Sequence, residues 1–182
     1  KTDIISRHAL KYLLKDRGVS FGDIIKHNLG FCESGRYKNK IIIPSYSKDG
    51  KLDYFVARSF EEDPFQKLDA PQSNKNIIGF ESVIYFDLPI IIVEGPFDSI
   101  TVKRNAIPLF GKSVSEKLRK KLVLNKIKSI YLALDEDALK NTIKFILPML
   151  FVLVTVTASH AQDPARIHFE KLNKLEEKAQ DV

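Results

Sequence analysis

Ile90-Ile91-Ile92-Val93-Glu94-Gly95-Pro96-Phe97-Asp98 is the stretch that decides how this chain folds. Four β-branched apolar residues in a row, bounded by Gly and Pro, read as a buried strand rather than a surface helix. Such a strand delivers Glu94 to its carboxyl end, where open α/β sheets bind ligands. Gly95 permits a sharp turn or a close approach. Pro96 suits the first turn of a following helix. Two readings of Glu94 stand at this point: a solvated acid at a strand end, or a carboxylate in a site.

Downstream, strands and helices alternate. Helices are expected over 97–104, 113–122 and 138–147, strands over 107–110, 128–134 and 151–157, and a charged amphipathic helix over 164–178. This alternation predicts a mainly parallel sheet flanked by helices. Upstream, apolar spacing predicts a helix over 3–15 ended by Arg17-Gly18, and Ser20 reads as the N-cap of a short helix through Lys26. Residues 27–34 read as a connector, with His8 and His27 in surface or capping roles. A strand over 41–44, the turn Lys48-Asp49-Gly50-Lys51 and a return strand over 52–59 form a hairpin. Arg36, Lys38 and Lys40 would share one face if the first strand starts early, and Arg58 could join them. An ordinary solvated hairpin is the competing reading. The polar stretch 61–81 reads as a long irregular connection between two units, 1–80 and 81–182. The expected fold class is therefore α/β, with a smaller α+β basic subdomain preceding the sheet.

A net charge of +6 over 182 residues favours a polyanionic partner without specifying one. Cys32 is the single cysteine, which excludes an intramolecular disulfide and a paired-cysteine zinc knuckle. It reads as a small buried residue in a reducing cytoplasm. No signal peptide is evident, and the apolar segment 145–158 is too short to span a bilayer. The start at Lys1 is expected to mark a fragment.

A second set of acids, Asp135-Glu136-Asp137, follows the apolar run Ile130-Tyr131-Leu132-Ala133-Leu134. Period two would place Asp135 and Asp137 on one side and Glu136 on the other. Carboxylates converging at strand ends suit Mg²⁺, which takes hard oxygen ligands, few protein carboxylates and substrate phosphates. Asp137 could equally cap the next helix. Asp163, before Pro164, either lies on the same sheet edge or caps a helix. Gly111-Lys112-Ser113 looks like the end of a phosphate-binding P-loop, but the earlier Gly of that motif is Ala106, so no such loop is read.

Glu94-Gly95-x-x-Asp98 followed by Asp135-x-Asp137 resembles a Toprim domain. Arg17-Gly18-Val19, Leu29-Gly30-Phe31, Gly35-Arg36-Tyr37, Ala57-Arg58, Leu68-Asp69-Ala70-Pro71 and Pro108-Leu109-Phe110-Gly111 follow the order of the RNA-polymerase core of DnaG-type primases, in a phage or plasmid version. This resemblance implies template-directed RNA primer synthesis on single-stranded DNA from ribonucleoside triphosphates. Glu94 would be the catalytic acid, as metal ligand or proton relay. Asp135 and Asp137 would hold Mg²⁺ or Mn²⁺, with Asp98 and Asp163 supporting. Arg36, Lys38, Lys40, Arg58 and Lys67 match positions for template and nucleotide. Leu139 and Lys140 stand where the family often has Ala-Gly. No zinc site is expected in this chain; a zinc-binding module and a replicative helicase would be outside partners. A Toprim nuclease and a non-catalytic nucleic-acid-binding or recombination module are the alternatives.

Overall fold

In the computed structural model, residues 2–61, 68–72, 75–125, 127, 129–146, 153–158 and 165–167 are described. The chain opens with α1 (Thr2–Lys11), which runs into a π-helical turn over Tyr12–Asp16. α2 (Phe21–Lys26) follows, capped as Ser20 predicts. The Ser20 hydroxyl accepts the Asp23 N–H at 3.2 Å, and the Asp23 carboxylate accepts the Ser20 N–H at 2.9 Å.

Four antiparallel strands come next: β1 (Gly30–Cys32), β2 (Lys40–Tyr46), β3 (Leu52–Ser59) and β4 (Leu68–Asp69), in that order across the sheet. The β2–β3 hairpin turns at Lys48-Asp49-Gly50 as its sequence predicts, and β3 has its expected bounds. Ile41, Ile43, Tyr54 and Val56 point into one core, joined by Ala9, Leu13, Val19 and Phe80.

The second sheet has the order β6-β5-β7-β8-β9, built from β5 (Ile90–Val93), β6 (Ala106–Pro108), β7 (Ser129–Ala133), β8 (Leu153–Ala158) and β9 (Ala165–Ile167). The first four are parallel and β9 is antiparallel to β8. Helices α3 (Pro96–Val102), α4 (Glu116–Leu124) and α5 (Glu136–Ile146) make the connections. This is the mainly parallel, helix-flanked α/β sheet expected. Ile90, Ile92, Ile107 and Leu132 are fully buried in its core. Each contributes about 1.5–3 kcal/mol by leaving water.

The two sheets are packed together. Ile100 of α3 and Phe110 after β6 enter the first core. The buried Ser45 hydroxyl accepts the Phe80 N–H at 3.0 Å. A Cβ at Gly79 would stand 2.1 Å from the Pro108 carbonyl oxygen, so only glycine allows this connector to lie against the end of β6.

Several expectations are corrected. Residues 27–34 are not all connector, because β1 pairs with β2, Phe31 facing Ile41. The stretch 61–81 is not wholly irregular: β4 pairs with β3 and a 3₁₀ turn spans Glu81–Val83. His27 takes the expected capping role, as the C-cap of α2 with its N–H on the Asp23 carbonyl at 3.0 Å, but it is not at the surface: it is 8% exposed, its ring 4.7 Å from that of Phe80. Cys32 is half-buried, its thiol directed at the Ser34 carbonyl. The expected helix from Pro164 gives way at Ala165–Ile167 to a strand, since the open edge of β8 offers backbone partners there. The rest of that helix, Lys67 and Asp163 lie outside the described residues. Among the described residues, no helix is long and apolar enough to cross a membrane.

Candidate active site at the carboxyl edge of the parallel sheet

β5 lies between β6 and β7, with Val93 in register with Pro108 on one side and Ala133 on the other. Glu94 therefore leaves the sheet between two neighbouring strand ends, and the residues after Pro108 and Ala133 flank it. Gly95 follows in an extended conformation at the N-cap of α3. The Asp98 carboxylate folds back and accepts the Gly95 N–H at 3.0 Å. A Cβ at Gly95 would meet that carboxylate at 2.8 Å, so a larger residue here would have to push the Asp98 side chain off the cap. Asp98 is thus engaged in capping α3.

β7 ends at Ala133, and the period-two alternation ends with it. The carbonyl of Asp135 accepts the Leu139 N–H at 2.8 Å, so Asp135, not Asp137, occupies the N-cap position of α5. Asp137 lies in the first helical turn, where the helix dipole favours negative charge. Its carboxylate pairs with the Lys112 ammonium and accepts the Ala138 N–H at 3.0 Å. Glu136 pairs instead with Lys140 at 2.7 Å. Leu139, at a position where a small residue was the family expectation, is buried in the sheet core.

The acids differ in their electrostatics. Burial pushes the Glu94 carboxyl above the ordinary glutamate range, and the nearby charges of Asp135 and Asp137 add to this, with Lys112 opposing. Its Oε1 is buried without a hydrogen-bond partner. Asp137 is held below the ordinary range, chiefly by its bond to Lys112. Among the described residues, no group of three or more His, Cys, Asp and Glu side chains is gathered closely enough to hold a metal ion by itself. The donors nevertheless fit Mg²⁺ as an open set. All are hard oxygens, one is an orphaned buried atom, and Mg²⁺ needs only one or two carboxylates beside waters and substrate phosphates.

The basic residues are arranged differently from the expectation. Residues 36–39 form a turn and β2 begins at Lys40, so Arg36, Lys38 and Lys40 do not alternate along one strand. Lys40 lies opposite Ser59 and Ile41 opposite Arg58. Lys40 and Arg58 therefore occupy opposite faces of the sheet. Arg36 and Lys40 do converge, on Asp69, at 3.2 and 3.4 Å. Asp69 is 7% exposed, in register with Ala57 on β3 and so on the face of Lys40. Burial pushes its carboxyl up, but the bonds to Arg36, the Ala70 N–H and Lys40 bring it below its ordinary value. Lys38 is exposed, and the buried Arg58 Nε lacks a hydrogen-bond partner. Sequence reasoning missed two participants. Asp69 lies in Leu68-Asp69-Ala70-Pro71, where nothing local marks a charge role, and Lys112 lies in the turn that only resembles the end of a P-loop.

No family model matches the chain. Uncharacterized protein MG010 of Mycoplasma genitalium is 32% identical over 141 residues, covering 71% of this chain and 62% of that protein. Its Mycoplasma pneumoniae homolog is 28% identical over 141 residues, covering 72% and 65%. The chain thus spans somewhat under two thirds of the length of these curated relatives. Among solved structures, the E. coli primase catalytic core superposes with a TM-score of 0.72 at 15% identity, covering 96% of this chain and 72% of that one. The DnaG primase catalytic domain bound to single-stranded DNA gives 0.72 at 16% identity, covering 96% and 71%. A DNA primase domain from Pseudomonas aeruginosa gives 0.69 at 20% identity, covering 92% and 68%. With nearly the whole chain superposed on these cores at TM-scores of about 0.7, the chain has the fold of the DnaG-type primase RNA-polymerase core.

Proposed function

We propose that this chain is a primase catalytic core that joins ribonucleoside triphosphates into short RNA primers on single-stranded DNA. The observation that carries this reading is the convergence of Glu94, Asp135 and Asp137 at the carboxyl edge of the parallel sheet in a primase-core fold. The DnaG catalytic domain among its structural neighbours is bound to single-stranded DNA. The primase domains of T7 gp4, another neighbour, are bound to an RNA/DNA hybrid in a structure with dTTP. A nucleic-acid partner for this chain is inferred from those likenesses and its positive charge.

Asp135 and Asp137, with Glu94, would hold Mg²⁺, which when bound neutralises phosphate charge and lowers the pKa of a coordinated hydroxyl. The Toprim assignment and the metal belong to this proposal. Glu94, with its raised proton affinity, would accept the proton of the attacking primer 3′-hydroxyl. The new bond joins that oxygen to the α-phosphorus, and pyrophosphate leaves. Arg36 and Lys40, partly balanced by Asp69, would hold the template backbone, with salt-sensitive affinity. A zinc-binding module and a replicative helicase would be separate partners.

The test is incorporation of labelled ribonucleotides on a single-stranded template with Mg²⁺ or Mn²⁺. Asp137→Asn should lower incorporation by at least about a hundredfold while leaving the circular dichroism spectrum unchanged. Full synthesis by this variant would refute the site. Mg²⁺-dependent loss of labelled DNA without nucleotides would point instead to a nuclease.

A further inference from the structure

The turn after β6 carries a lysine that the proposed chemistry does not use. To reach Asp137 beyond β7, Lys112 must cross the carboxyl end of β5, because β5 lies between β6 and β7. Its ammonium therefore passes over Glu94. The turn that launches it is fixed from the other side. Phe110 has a left-handed φ of +53°. Its ring packs edge-on against Tyr54 and Phe80, at 5.3 and 5.7 Å. Its carbonyl accepts a hydrogen bond from the Lys75 ammonium at 3.0 Å. The first core thus places Lys112, and the acids of the second sheet receive it. Asp137 bonds the ammonium, and Glu94 and Asp135 both act on it electrostatically.

We propose that Lys112 is the resident counter-cation of this acid cluster, a positioning residue that a divalent ion must displace from Asp137 in order to bind. The proposal rests on the metal reading of Glu94, Asp135 and Asp137 under the proposed function. It gives Lys112 a role in the ion affinity of the site: the ammonium relieves repulsion among the carboxylates before metal arrives and competes with the metal afterwards. Lys112 is largely exposed, at 69%, so it can swing away into solvent without unfolding anything.

The experiment is a Mn²⁺ titration of the full chain, without nucleotide, read by the electron paramagnetic resonance signal of free Mn²⁺. Lys112→Met should bind Mn²⁺ about fivefold more tightly, the scale of removing one unit charge at about 4 Å in water. Lys112→Arg should behave as wild type. Lys120→Met, which removes an equal charge from the outer face of α4, should also behave as wild type and separates the local effect from net charge. A gain in affinity cannot come from damage to the fold. If wild type and Lys112→Met bind Mn²⁺ equally while Asp137→Asn loses binding, the counter-cation role is overturned and the metal site stands. If wild type and Asp137→Asn both fail to bind, the metal reading and this proposal fall together.

Discussion

Glu94→Gln should remove activity yet stabilise the metal-free protein. The amide keeps the shape of the side chain and cannot ionise. In the native protein Glu94 is driven towards its neutral form, first by burial and then by Asp135 and Asp137. Its folded pKa is therefore above its unfolded value, and for an acid that sign means ionisation works against the fold. Below the ordinary glutamate range both proteins are neutral at this position and equally stable. As pH rises through the raised pKa, wild type loses stability and the variant does not, and above it the gap is constant. One like-charge pair at about 4 Å costs about 1 kcal/mol in water and about 4 kcal/mol near a protein surface, and Lys112 offsets part of it, so a gain at the lower end, about 1 kcal/mol, is expected. For a chain of this size that is a rise of roughly 2–4 °C in Tm. The assay is thermal unfolding in chelator from about pH 4 to about pH 8, repeated with excess Mg²⁺. Mg²⁺ should reverse the order, because only wild type gains the full free energy of ion binding. A variant less stable than wild type at neutral pH in chelator, or a gap independent of pH, would refute the reasoning.

Three further outcomes follow from other charges. Burial, with Lys26 adding, holds His27 at about 4 against an ordinary 6.5, so stability is intact above 6.5 and is lost as pH falls towards 4, by about 3 kcal/mol at the limit; His27→Phe should flatten this acid limb in urea melts. Buried Glu81 is bonded by Lys117 at 3.1 Å, with Lys121 at 3.6 Å, and Lys117→Met should cost about 1–3 kcal/mol by leaving that carboxylate poorly paired, measured by the urea midpoint. Arg36→Glu combined with Lys40→Glu should weaken single-stranded DNA binding and lower the salt slope by about one for each phosphate no longer neutralised, whereas Asp69→Asn, which frees both cations, should strengthen binding in a fluorescence anisotropy titration.

The parts of the fold legible in the sequence are those whose signal is local. Ile90 to Val93 is a run of buried β-branched residues, and Ser20 carries its capping partner three residues on. Such features hold whatever else the chain does. Strands β1 and β4 have three and two residues, and nothing local distinguishes them from turn. Their existence depends on a neighbouring edge, which only tertiary pairing supplies. His27 is buried because Phe80 packs on it from a distant part of the chain, and Asp69 acquires its charge role from Arg36 and Lys40. The basic face failed for a simpler reason. Strand parity does not reach Arg36 and Lys38, which precede the strand, and one residue of register separates Lys40 from Arg58.

The acids show what such an error can conceal. Alternation would have put Asp135 and Asp137 side by side on a strand, with nothing to offset their repulsion. Because β7 stops at Ala133, they arrive instead at the start of α5. There the helix N-terminus favours both charges, and Lys112 and the Ala138 N–H hold Asp137 ionised. Glu94 stands one residue ahead of the N-cap of α3, whose N-terminus is already occupied by Asp98, and its buried Oε1 has no hydrogen bond. The three carboxylates are therefore not equivalent. Asp137 is prepared to stay charged, and Glu94 is prepared to take a proton. That division favours Glu94 as the proton acceptor over an equal third ligand, and it arises from where one strand ends and one lysine reaches.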